Sequence, residues 1–481
     1  MVTCSQILFK EAMEKLPVNN YYCSSELDPQ EEVLKNISYA KNVIQSPHTI
    51  VLIVPPSPQI PTPGREFLVT GPFEGFTYIA TLIKRMGYRL KVIDCRLKDN
   101  PEQLVLDGIK NADIIGIATY CDSFVFLRQI TGMIKKERPD TLIFLGGPLV
   151  TSLPQAILKN TSADLAILGE AELTTIEFLN TFFSQNKNNF SGIKGLAYKQ
   201  QGSININLPR PQIKNLDHLP VLDYRIWPNY DSIVKNGQIL ISSMRGCPQE
   251  CSFCFKTIPR LRLKSLQRFE EEVAYLKEST NFDYTWLNDL TFNVIEERAI
   301  KICRILKKYD VRYHCFARVQ KIGKKLASAL KDTGCQGIWL GIESYDQQVL
   351  DMNRKNIKIE DIDLGVKMAQ DAGLAVRGLF IVGLYGETEG SLKKMVEFIK
   401  ENRFLPLVKY LVPFPGTSLY EYAVSSGKIE DITGFLTMLS GRRVSDHDDE
   451  IVNLTGLSEG TLREYFHQIW NITKEREHCF E

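Results

Sequence analysis

The segment ILISSMRGCPQECSFC, residues 239–254, decides the fold of the C-terminal half of this chain. It begins with a short apolar run that is typical of a buried strand. It ends in three cysteines, Cys247, Cys251 and Cys254, with the spacing C-x3-C-x2-C. Three thiolates on one tight loop can hold an iron–sulfur cube and leave one of its irons open for chemistry.

Two other interpretations of the cysteine loop remain open at this point. A structural zinc ion would need a fourth ligand. No Cys or His stands between residues 255 and 302, and His314 and Cys315, further along the chain, are candidates. Alternatively, the three thiols are unrelated and buried. The chain has 11 cysteines, most of them single residues in apolar segments, which is typical of reduced thiols and not of a disulfide framework.

Five more apolar segments follow the cysteine loop, and amphipathic stretches of helical length separate them. This alternation predicts six strand–helix units with a parallel sheet, curved into a partial (β/α)6 barrel. The active site of such a barrel lies at the C-terminal ends of its strands. The predicted strands are 239–244, 284–289, 313–318, 337–344, 375–384 and 407–416.

The N-terminal half shows the same alternation of apolar and amphipathic segments. It predicts a doubly wound, Rossmann-like α/β domain with a parallel sheet covered on both faces. Such sheets bind ligands in the crevice beyond the carboxyl ends of their strands. The predicted strands are 49–56, 89–96, 112–120, 141–148 and 165–170.

These patterns divide the 481 residues into five regions. The regions are a helical lead-in (1–45), the doubly wound domain (46–185), a proline-rich linker with a hairpin (186–235), the partial barrel (236–425) and a small helical C-terminal region (426–481).

The composition excludes several classes of protein. Hydrophobic residues make up 44% of the chain, charged residues 24%, and the net charge is +1; these values exclude a disordered chain, a fibre and a coiled coil. The charge balance gives no support for a nucleic-acid or membrane partner. No apolar run approaches the roughly 18–20 residues of a membrane span, and Lys and Glu interrupt the first 17 residues, where a signal peptide would be apolar. We therefore expect a cytoplasmic protein with a small-molecule substrate.

The cysteine loop, with Phe253 before its last cysteine, resembles the signature of the radical S-adenosylmethionine (SAM) enzymes. This resemblance implies a [4Fe–4S] cluster on Cys247, Cys251 and Cys254, with SAM bound at the open iron. An electron from the reduced cluster would cleave SAM to methionine and a 5′-deoxyadenosyl radical, which abstracts hydrogen from an unactivated carbon. The electron would come from an external donor such as a flavodoxin or ferredoxin.

Other strand ends match the places where that family holds SAM. GIES, 341–344, ends the fourth strand, and GLFIVGLYGET, 378–388, resembles the fifth-strand segment that lies along the adenine. Singly, each residue also has a structural interpretation, such as an ion pair for Arg318 or a helix cap for Asp289. The SAM-binding residues that the resemblance implies are Phe253, Asp289, Arg318, Gly341, Glu343, Ser344 and Leu384.

A doubly wound domain ahead of such a barrel resembles the cobalamin-binding subfamily of radical SAM enzymes. Gly146-Gly147 at a strand end lets the backbone approach a large planar ligand. The second strand ends Asp94-Cys95-Arg96-Leu97 and lacks the histidine of the D-x-H-x-x-G motif, so we expect cobalamin without a histidine lower ligand. The implied cobalamin-binding residues are Pro55, Thr119, Gly146, Gly147, Thr151, Gly169 and Glu170.

Together, the two resemblances imply a cobalamin-dependent radical SAM methyltransferase of class B that methylates an unactivated carbon of a small molecule. In the implied cycle, one SAM methylates cobalamin, a second generates the radical, and the substrate radical takes methyl from methylcobalamin. The alternatives are a cobalamin-dependent cyclase, ring-contraction or rearrangement enzyme, and an iron–sulfur redox sensor that is not an enzyme. No motif identifies the substrate or the catalytic residues.

Overall fold

The computed structural model of the chain describes residues 28–57, 71–96, 98–184, 189–256, 260–441 and 450–479. The packing of the backbone divides the chain into two units. The N-terminal unit contains the described residues between 28 and 238 together with 431–441. The barrel unit contains those between 239 and 430 together with 450–479.

The N-terminal unit alternates strands and helices along the chain. Its helices before residue 239 are α1 (Gln30–Tyr39), α2 (Glu74–Arg85), α3 (Pro101–Gly108), α4 (Phe124–Glu137), α5 (Pro148–Ser152), α6 (Pro154–Asn160), α7 (Glu172–Phe183) and α8 (Tyr230–Lys235). Its strands are β1 (Thr49–Val54), β2 (Arg89–Asp94), β3 (Ile114–Ala118), β4 (Leu142–Gly146), β5 (Leu165–Ile167), β6 (Leu196–Gln200) and β7 (Ser203–Ile206).

The sheet of this unit has the strand order β2-β1-β3-β4-β5-β6-β7. Strands β1 to β5 are parallel, which confirms the doubly wound fold. From β1 the chain continues to β2 on one side of the sheet, and from β3 it continues to β4 on the other side. A crevice is therefore expected at the carboxyl ends of β1 and β3.

The core of this sheet explains the apolar runs in the sequence. Ile50, Leu52, Ile114 and Phe144 are all buried, in one cluster with residues of helices α2 and α7. Gly116 lies in the middle of β3 and leaves room for its neighbours, because a β-carbon there would stand 2.3 Å from the Phe144 ring and 2.6 Å from Leu52.

The predicted hairpin forms, but it belongs to the sheet. Gln201 and Gly202 both have positive φ, 52° and 79°, as a two-residue turn between twisted strands requires. Strand β6 pairs antiparallel with β5, and β7 pairs with β6. The segment that we interpreted as a linker therefore extends the sheet to seven strands.

From residue 239 onward, helices and strands alternate again. The strands are β8 (Leu240–Ile241), β9 (Met244–Arg245), β10 (Arg262–Leu263), β11 (Tyr284–Leu287), β12 (Arg312–Ala317), β13 (Cys335–Glu343), β14 (Val376–Val382) and β15 (Leu405–Tyr410). The helices are α9 (Leu266–Thr280), α10 (Glu296–Lys308), α11 (Lys324–Asp332), α12 (Gln347–Met352), α13 (Ile359–Asp371), α14 (Glu389–Glu401), α15 (Ser418–Ser425), α16 (Ile432–Gly441) and α17 (Glu459–Arg476).

The barrel sheet has the order β15-β14-β13-β12-β11-β8, with all strands parallel. Each strand lies beside the next one in the chain, so the sheet is the six-stranded partial barrel that the sequence predicts. The first strand is shorter than predicted. After Ile241 the chain leaves the sheet, and β9 pairs antiparallel with β10 at the base of the cysteine loop.

The predicted C-terminal region, 426–481, is divided between the two units. Helix α16 packs in the N-terminal unit, where the Val125 backbone N–H donates to Ser440 Oγ at 3.2 Å. Helix α17 packs on β15, with the rings of Tyr410 and Phe466 stacked at 4.1 Å. We therefore propose no separate C-terminal domain. Among the described residues, no helix has the length and apolar character of a membrane span.

Substitution of Gly116 by Ala should destabilise the N-terminal unit by about 1–3 kcal/mol, because the added methyl overpacks a filled core. A glycine of helix α4, Gly132, provides the control. A β-carbon there would meet only Ser162 Oγ, at 3.9 Å, so Gly132→Ala should stabilise by about 0.5–1 kcal/mol through helix propensity. Urea denaturation followed by circular dichroism measures both changes. Equal midpoints for the two variants would contradict this packing.

Candidate cofactor sites

The three cysteines lie on the loop that β9 and β10 close. Cys247 is buried, Cys251 is half-buried and Cys254 is exposed. Desolvation of its sulfur is the largest cause that raises the pKa of Cys254 to about 11, although the residue as a whole is exposed, and the charges of Cys251, Cys247 and Glu343 contribute to the same rise. Because such effects act over short distances, the three thiols and Glu343 share one neighbourhood.

The cysteine side chains have other partners in this structure. Cys247 Sγ lies 3.4 Å from Thr291 Oγ1, and Cys254 Sγ lies 3.7 Å from the Phe255 carbonyl. Within the described ranges, no three Cys, His, Asp or Glu side chains are arranged as a metal site. A cluster on these cysteines therefore requires the thiols to turn away from these partners and toward each other. The residue types fit, since thiolates are the usual ligands of iron–sulfur clusters.

A buried pair of side chains holds the cysteine loop in place. Ser252 and Asn353 are both fully buried. The Ser252 N–H donates to the Asn353 carbonyl at 3.0 Å, and its hydroxyl donates to Asn353 Oδ1 at 2.9 Å. The Asn353 amide also donates to the Tyr385 carbonyl at 2.8 Å, which joins the loop to the segment after β14. Sequence reasoning missed both residues because neither stands in a recognisable pattern.

Asp289 supports the strand that leads into the loop. It is buried, and its carboxylate accepts hydrogen bonds from the Ser243 N–H at 2.8 Å, the Ser243 hydroxyl at 2.6 Å and the Met244 N–H at 3.1 Å. These bonds occupy both oxygens. The geometry gives Asp289 a positioning role. Asp289 is not the cap of the following helix, whose N-cap is Ile295, and its contact with SAM stays a prediction.

Lys355 joins several of the predicted SAM residues, and the sequence analysis missed it. It is buried, and its Nζ donates to Glu343 Oε1 at 2.7 Å. The same nitrogen lies 5.9 Å from the centre of the Phe253 ring. Arg318 donates from Nη2 to the Lys355 carbonyl at 2.8 Å. Lys355 follows Glu343 by 12 residues with no motif between them, so only the fold brings them together.

The end of β13 has an unusual backbone. Glu343 has φ of 70°, and the pairing with β14 shifts between Gly341 and Glu343. A β-carbon on Gly341 would lie 2.7 Å from Glu343 Oε1 and 2.9 Å from Lys355 Nζ. Gly341 therefore makes room for this ion pair, and its contact with SAM stays a prediction. The Ser344 hydroxyl is buried and has no hydrogen-bond partner among the described residues, which fits a site for a polar ligand.

The turn after β14 is built around a carboxyl group. Leu384, which the sequence predicts to contact SAM, is fully buried in this turn. Glu387 Oε2 accepts from the Gly383 N–H at 2.6 Å, and burial raises the pKa of Glu387 to about 8. Its other oxygen, Oε1, has no partner in the described part of the chain. Sequence reasoning passed over this acid although it stands inside the quoted GLYGET segment.

In the N-terminal unit, Thr119 and the two glycines after β4 form one turn. The Thr119 hydroxyl donates to the Gly146 carbonyl at 3.1 Å and accepts from the Val150 N–H at 3.2 Å. A β-carbon on Gly147 would lie 2.7 Å from the Thr119 carbonyl, whereas one on Gly146 would meet nothing within 4 Å. Gly147 thus serves the turn itself. Gly146 leaves open space at the strand edge, which fits a large ligand.

The remaining predicted cobalamin residues are Thr151 in helix α5, Gly169 and Glu170 after β5, and Pro55 after β1. Thr151 Oγ1 accepts from the Gly169 N–H at 3.1 Å, and Gly169 has positive φ, 74°. The Glu170 carboxylate accepts from the Ile213 N–H at 2.9 Å. Pro55 follows β1 and is buried. Most of the proline-rich loop 55–64 lies outside the described residues.

At the end of β2, where the sequence lacks a histidine, the structure has a buried ion pair. Arg96 and Asp94 are buried and form a two-pronged ion pair, from Nε to Oδ1 at 2.9 Å and from Nη2 to Oδ2 at 2.8 Å. The guanidinium also lies 4.7 Å from the centre of the Phe73 ring. Cys95 is fully buried, and Leu97 lies outside the described residues.

Comparisons of the sequence with known proteins agree with this two-part organisation. Residues 67–179 match the model of the B12 binding domain, and residues 241–399 match that of the radical SAM superfamily. An uncharacterised methyltransferase of Pyrococcus horikoshii is 29% identical over 389 residues, which is 78% of this chain and 83% of the relative. The anaerobic magnesium-protoporphyrin IX monomethyl ester cyclase of Rubrivivax gelatinosus is 26% identical over 74% of this chain and 67% of its own.

A solved structure shares the fold. The radical SAM methyltransferase TsrM of Kitasatospora setae, with cobalamin and a [4Fe–4S] cluster bound, superimposes with a TM-score of 0.63 at 16% identity, over 79% of this chain and 75% of TsrM. The matching domains imply that this protein uses a [4Fe–4S] cluster, SAM and cobalamin. The chain belongs to the radical SAM enzymes that carry a B12-binding domain.

Proposed function

We propose that this enzyme is a cobalamin-dependent methyltransferase that acts on an unactivated carbon of a small molecule. The observation that carries the proposal is the arrangement at the strand ends of the barrel. There the cysteine loop lies near the Lys355–Glu343 ion pair. The Ser344 hydroxyl at the same strand end has no hydrogen-bond partner among the described residues. The similarity to the methyltransferase of Pyrococcus horikoshii supports methyl transfer. An external flavodoxin or ferredoxin is the proposed electron donor.

In this proposal, Cys247, Cys251 and Cys254 hold the cluster. When bound, the cluster and SAM supply the radical that removes hydrogen from the substrate, and cobalamin supplies the methyl group. The Ser252–Asn353 pair fixes the backbone of the loop between Cys251 and Cys254. Asp289 fixes the backbone at Ser243 and Met244, just before the loop.

The polar residues at the ends of β12 and β13 are proposed to orient SAM. Arg318 holds the backbone of Lys355, and Lys355 holds the Glu343 carboxylate in a buried position. The carboxylate oxygens of Glu343 can accept hydrogen bonds from a ligand. The Ser344 hydroxyl adds a group that can donate or accept. Phe253, near Lys355 Nζ, supplies an apolar surface on the cysteine loop.

In the N-terminal unit, the carboxyl ends of β1, β3, β4 and β5 are proposed to receive cobalamin. The open space at Gly146 is the observation that supports this. The end of β2 has a buried Asp94–Arg96 ion pair and no histidine, so cobalamin is proposed to bind without a histidine ligand from that strand end.

A second candidate activity is ring formation. The cyclase of Rubrivivax gelatinosus matches 74% of this chain, and a substrate radical can close a ring as well as take a methyl group. Product analysis with the substrate distinguishes the two reactions, since methyl transfer adds one carbon and cyclisation adds none.

Substitution of Cys251 by Ala should abolish the cleavage of SAM to 5′-deoxyadenosine, because two thiolates do not complete the site for an open-iron cluster. Cobalamin binding should persist, since its proposed residues lie on the other unit. Cys303→Ala, which alters a buried thiol of α10, is the control and should retain cleavage. Anaerobic reconstitution, chromatography of the nucleoside and an absorption spectrum measure both properties. Full cleavage by the Cys251 variant would refute the cluster assignment.

Substitution of Lys355 by Met should weaken SAM binding at least about tenfold, because it leaves the Glu343 carboxylate buried without its cation, a change that costs about 3–5 kcal/mol. Lys355→Arg should retain part of the affinity. Lys331→Met is the matched control, since Lys331 is exposed and donates to the Gly373 carbonyl. Equilibrium dialysis with labelled SAM gives the affinities. The assignment fails if the two methionine variants bind SAM equally well.

Substitution of Gly146 by Val should reduce cobalamin affinity at least about tenfold, because the side chain fills the space that the ligand needs. Gly192→Val is the control, since a β-carbon there also meets nothing within 4 Å and Gly192 is exposed on a surface turn. Titration of hydroxocobalamin followed by gel filtration measures the bound fraction. Unchanged binding by the Gly146 variant would place cobalamin elsewhere.

A further inference from the structure

The segment after β11, residues 288–293, lies against the approach to the cysteine loop. Its Asp289 carboxylate accepts from the backbone N–H groups that lead into the loop. At the other end of the segment, the fully buried Asn293 side chain accepts from the Arg318 N–H at 2.8 Å and donates to the Arg318 carbonyl at 2.9 Å. Thr291, between these two anchors, is therefore held in position.

Thr291 contacts one of the three cysteines. Both Thr291 and Cys247 are buried, and Thr291 Oγ1 lies 3.4 Å from Cys247 Sγ. The same hydroxyl donates to the Leu290 carbonyl at 2.8 Å. Because a hydroxyl has one hydrogen and can also accept, Thr291 in this arrangement accepts from the Cys247 thiol while it donates to Leu290.

Metal binding changes which atom can donate. A cysteine binds iron as a thiolate, so the sulfur of a metal-bound Cys247 has no hydrogen and can only accept. The Thr291 hydroxyl then has two acceptors, the thiolate and the neutral Leu290 carbonyl. A hydrogen bond to an ionised acceptor is about twice as strong as one to a neutral acceptor, so the hydroxyl hydrogen turns to the sulfur.

We propose that Thr291 donates a hydrogen bond to the metal-bound Cys247 sulfur and thereby raises the reduction potential of the cluster. This inference rests on the cluster of the proposed function. Cys247 turns toward the other two thiols when it binds the cluster, and the anchored segment keeps the Thr291 hydroxyl beside it.

The charge of the cluster gives the direction of the effect. The external flavodoxin or ferredoxin passes one electron to the cluster, which gains one negative charge, and no bond of the protein is made or broken. A hydroxyl donor stabilises the more negative, reduced state more than the oxidised state, and hydrogen bonds to the sulfurs are among the factors that set the potentials of such clusters. Burial acts in the opposite direction, because it penalises the added charge. Thr291 therefore offsets part of the cost of reducing a cluster on a buried cysteine.

Potentiometric titration of the full-length protein, reconstituted with iron and sulfide and kept free of SAM, tests this role. Thr291→Val removes the hydroxyl and keeps a branched side chain, so its potential should be more negative. At the potential where the cluster of the unaltered protein is half reduced, the ratio of reduced to oxidised cluster should fall about two- to tenfold, the range of a single hydrogen bond. A tenfold fall corresponds to about 59 mV for one electron. Electron paramagnetic resonance of the reduced cluster measures the ratio.

Two further variants separate the hydrogen bond from other effects of the substitution. Thr291→Ser keeps the hydroxyl and should retain the potential of the unaltered protein. Thr473→Val is the matched control and should not change the potential, since Thr473 is buried on α17 and its hydroxyl donates to the Pro406 carbonyl at 2.7 Å. Equal potentials for Thr291→Val and the unaltered protein would overturn the proposal. A potential of Thr291→Ser as negative as that of Thr291→Val would also overturn it.

Iron and sulfide analysis of each sample separates a shift in potential from a loss of the cluster. Thr291→Ala provides a second protein without the hydroxyl if the valine variant does not bind iron. Failure of both variants to bind iron, with the serine variant intact, would overturn the effect on the potential, because the hydroxyl would then serve cluster assembly.

SAM cleavage distinguishes this inference from the proposed function. Cleavage by the unaltered protein, together with equal potentials for the variants, would leave the proposed function intact and remove the role of Thr291. An unaltered protein that binds no iron after reconstitution would overturn both.

Discussion

The buried hydrogen bonds between Ser252 and Asn353 are the constraint on which the barrel site depends. A cysteine loop exposed to solvent would sample many conformations, and each ordered residue costs about 1–2 kcal/mol of conformational entropy. The loop is ordered at its centre because Ser252 gives both its N–H and its hydroxyl to one fully buried partner. The same asparagine bonds the Tyr385 carbonyl. One side chain therefore couples the metal-ligand loop to the turn after β14.

The Lys355–Glu343 pair illustrates a second constraint, the cost of burying charge. Two buried ions are stable only when each satisfies the other. Here the lysine reaches the carboxylate across the position of Gly341, where no side chain would fit. The left-handed backbone of Glu343 and the register shift on β13 accompany this arrangement. Strain of this kind is found at functional sites, where the surrounding structure maintains it.

The two glycines at the end of β4, Gly146 and Gly147, have different structural roles. Gly147 is required by the turn, because the Thr119 carbonyl stands where its side chain would be, whereas Gly146 faces open space. In the barrel sheet, the absence of a β-carbon on Gly337 lets the Arg377 and His314 side chains lie close to the backbone of β13. In each case the missing β-carbon has a different physical consequence, and the sequence shows only a glycine in or at the end of a strand.

The sequence by itself determined the alternation of strands and helices, the doubly wound and partial-barrel folds and the three-cysteine loop, because hydrophobic periodicity and local spacing are properties of neighbouring residues. It did not reveal Lys355, Asn353 or Glu387, nor the structural use of the Asp289 carboxylate. It also assigned the hairpin to a linker, although β6 pairs with β5. Only the tertiary structure decided these points, because ion pairs, buried hydrogen bonds and sheet edges depend on which distant segments the fold brings into contact.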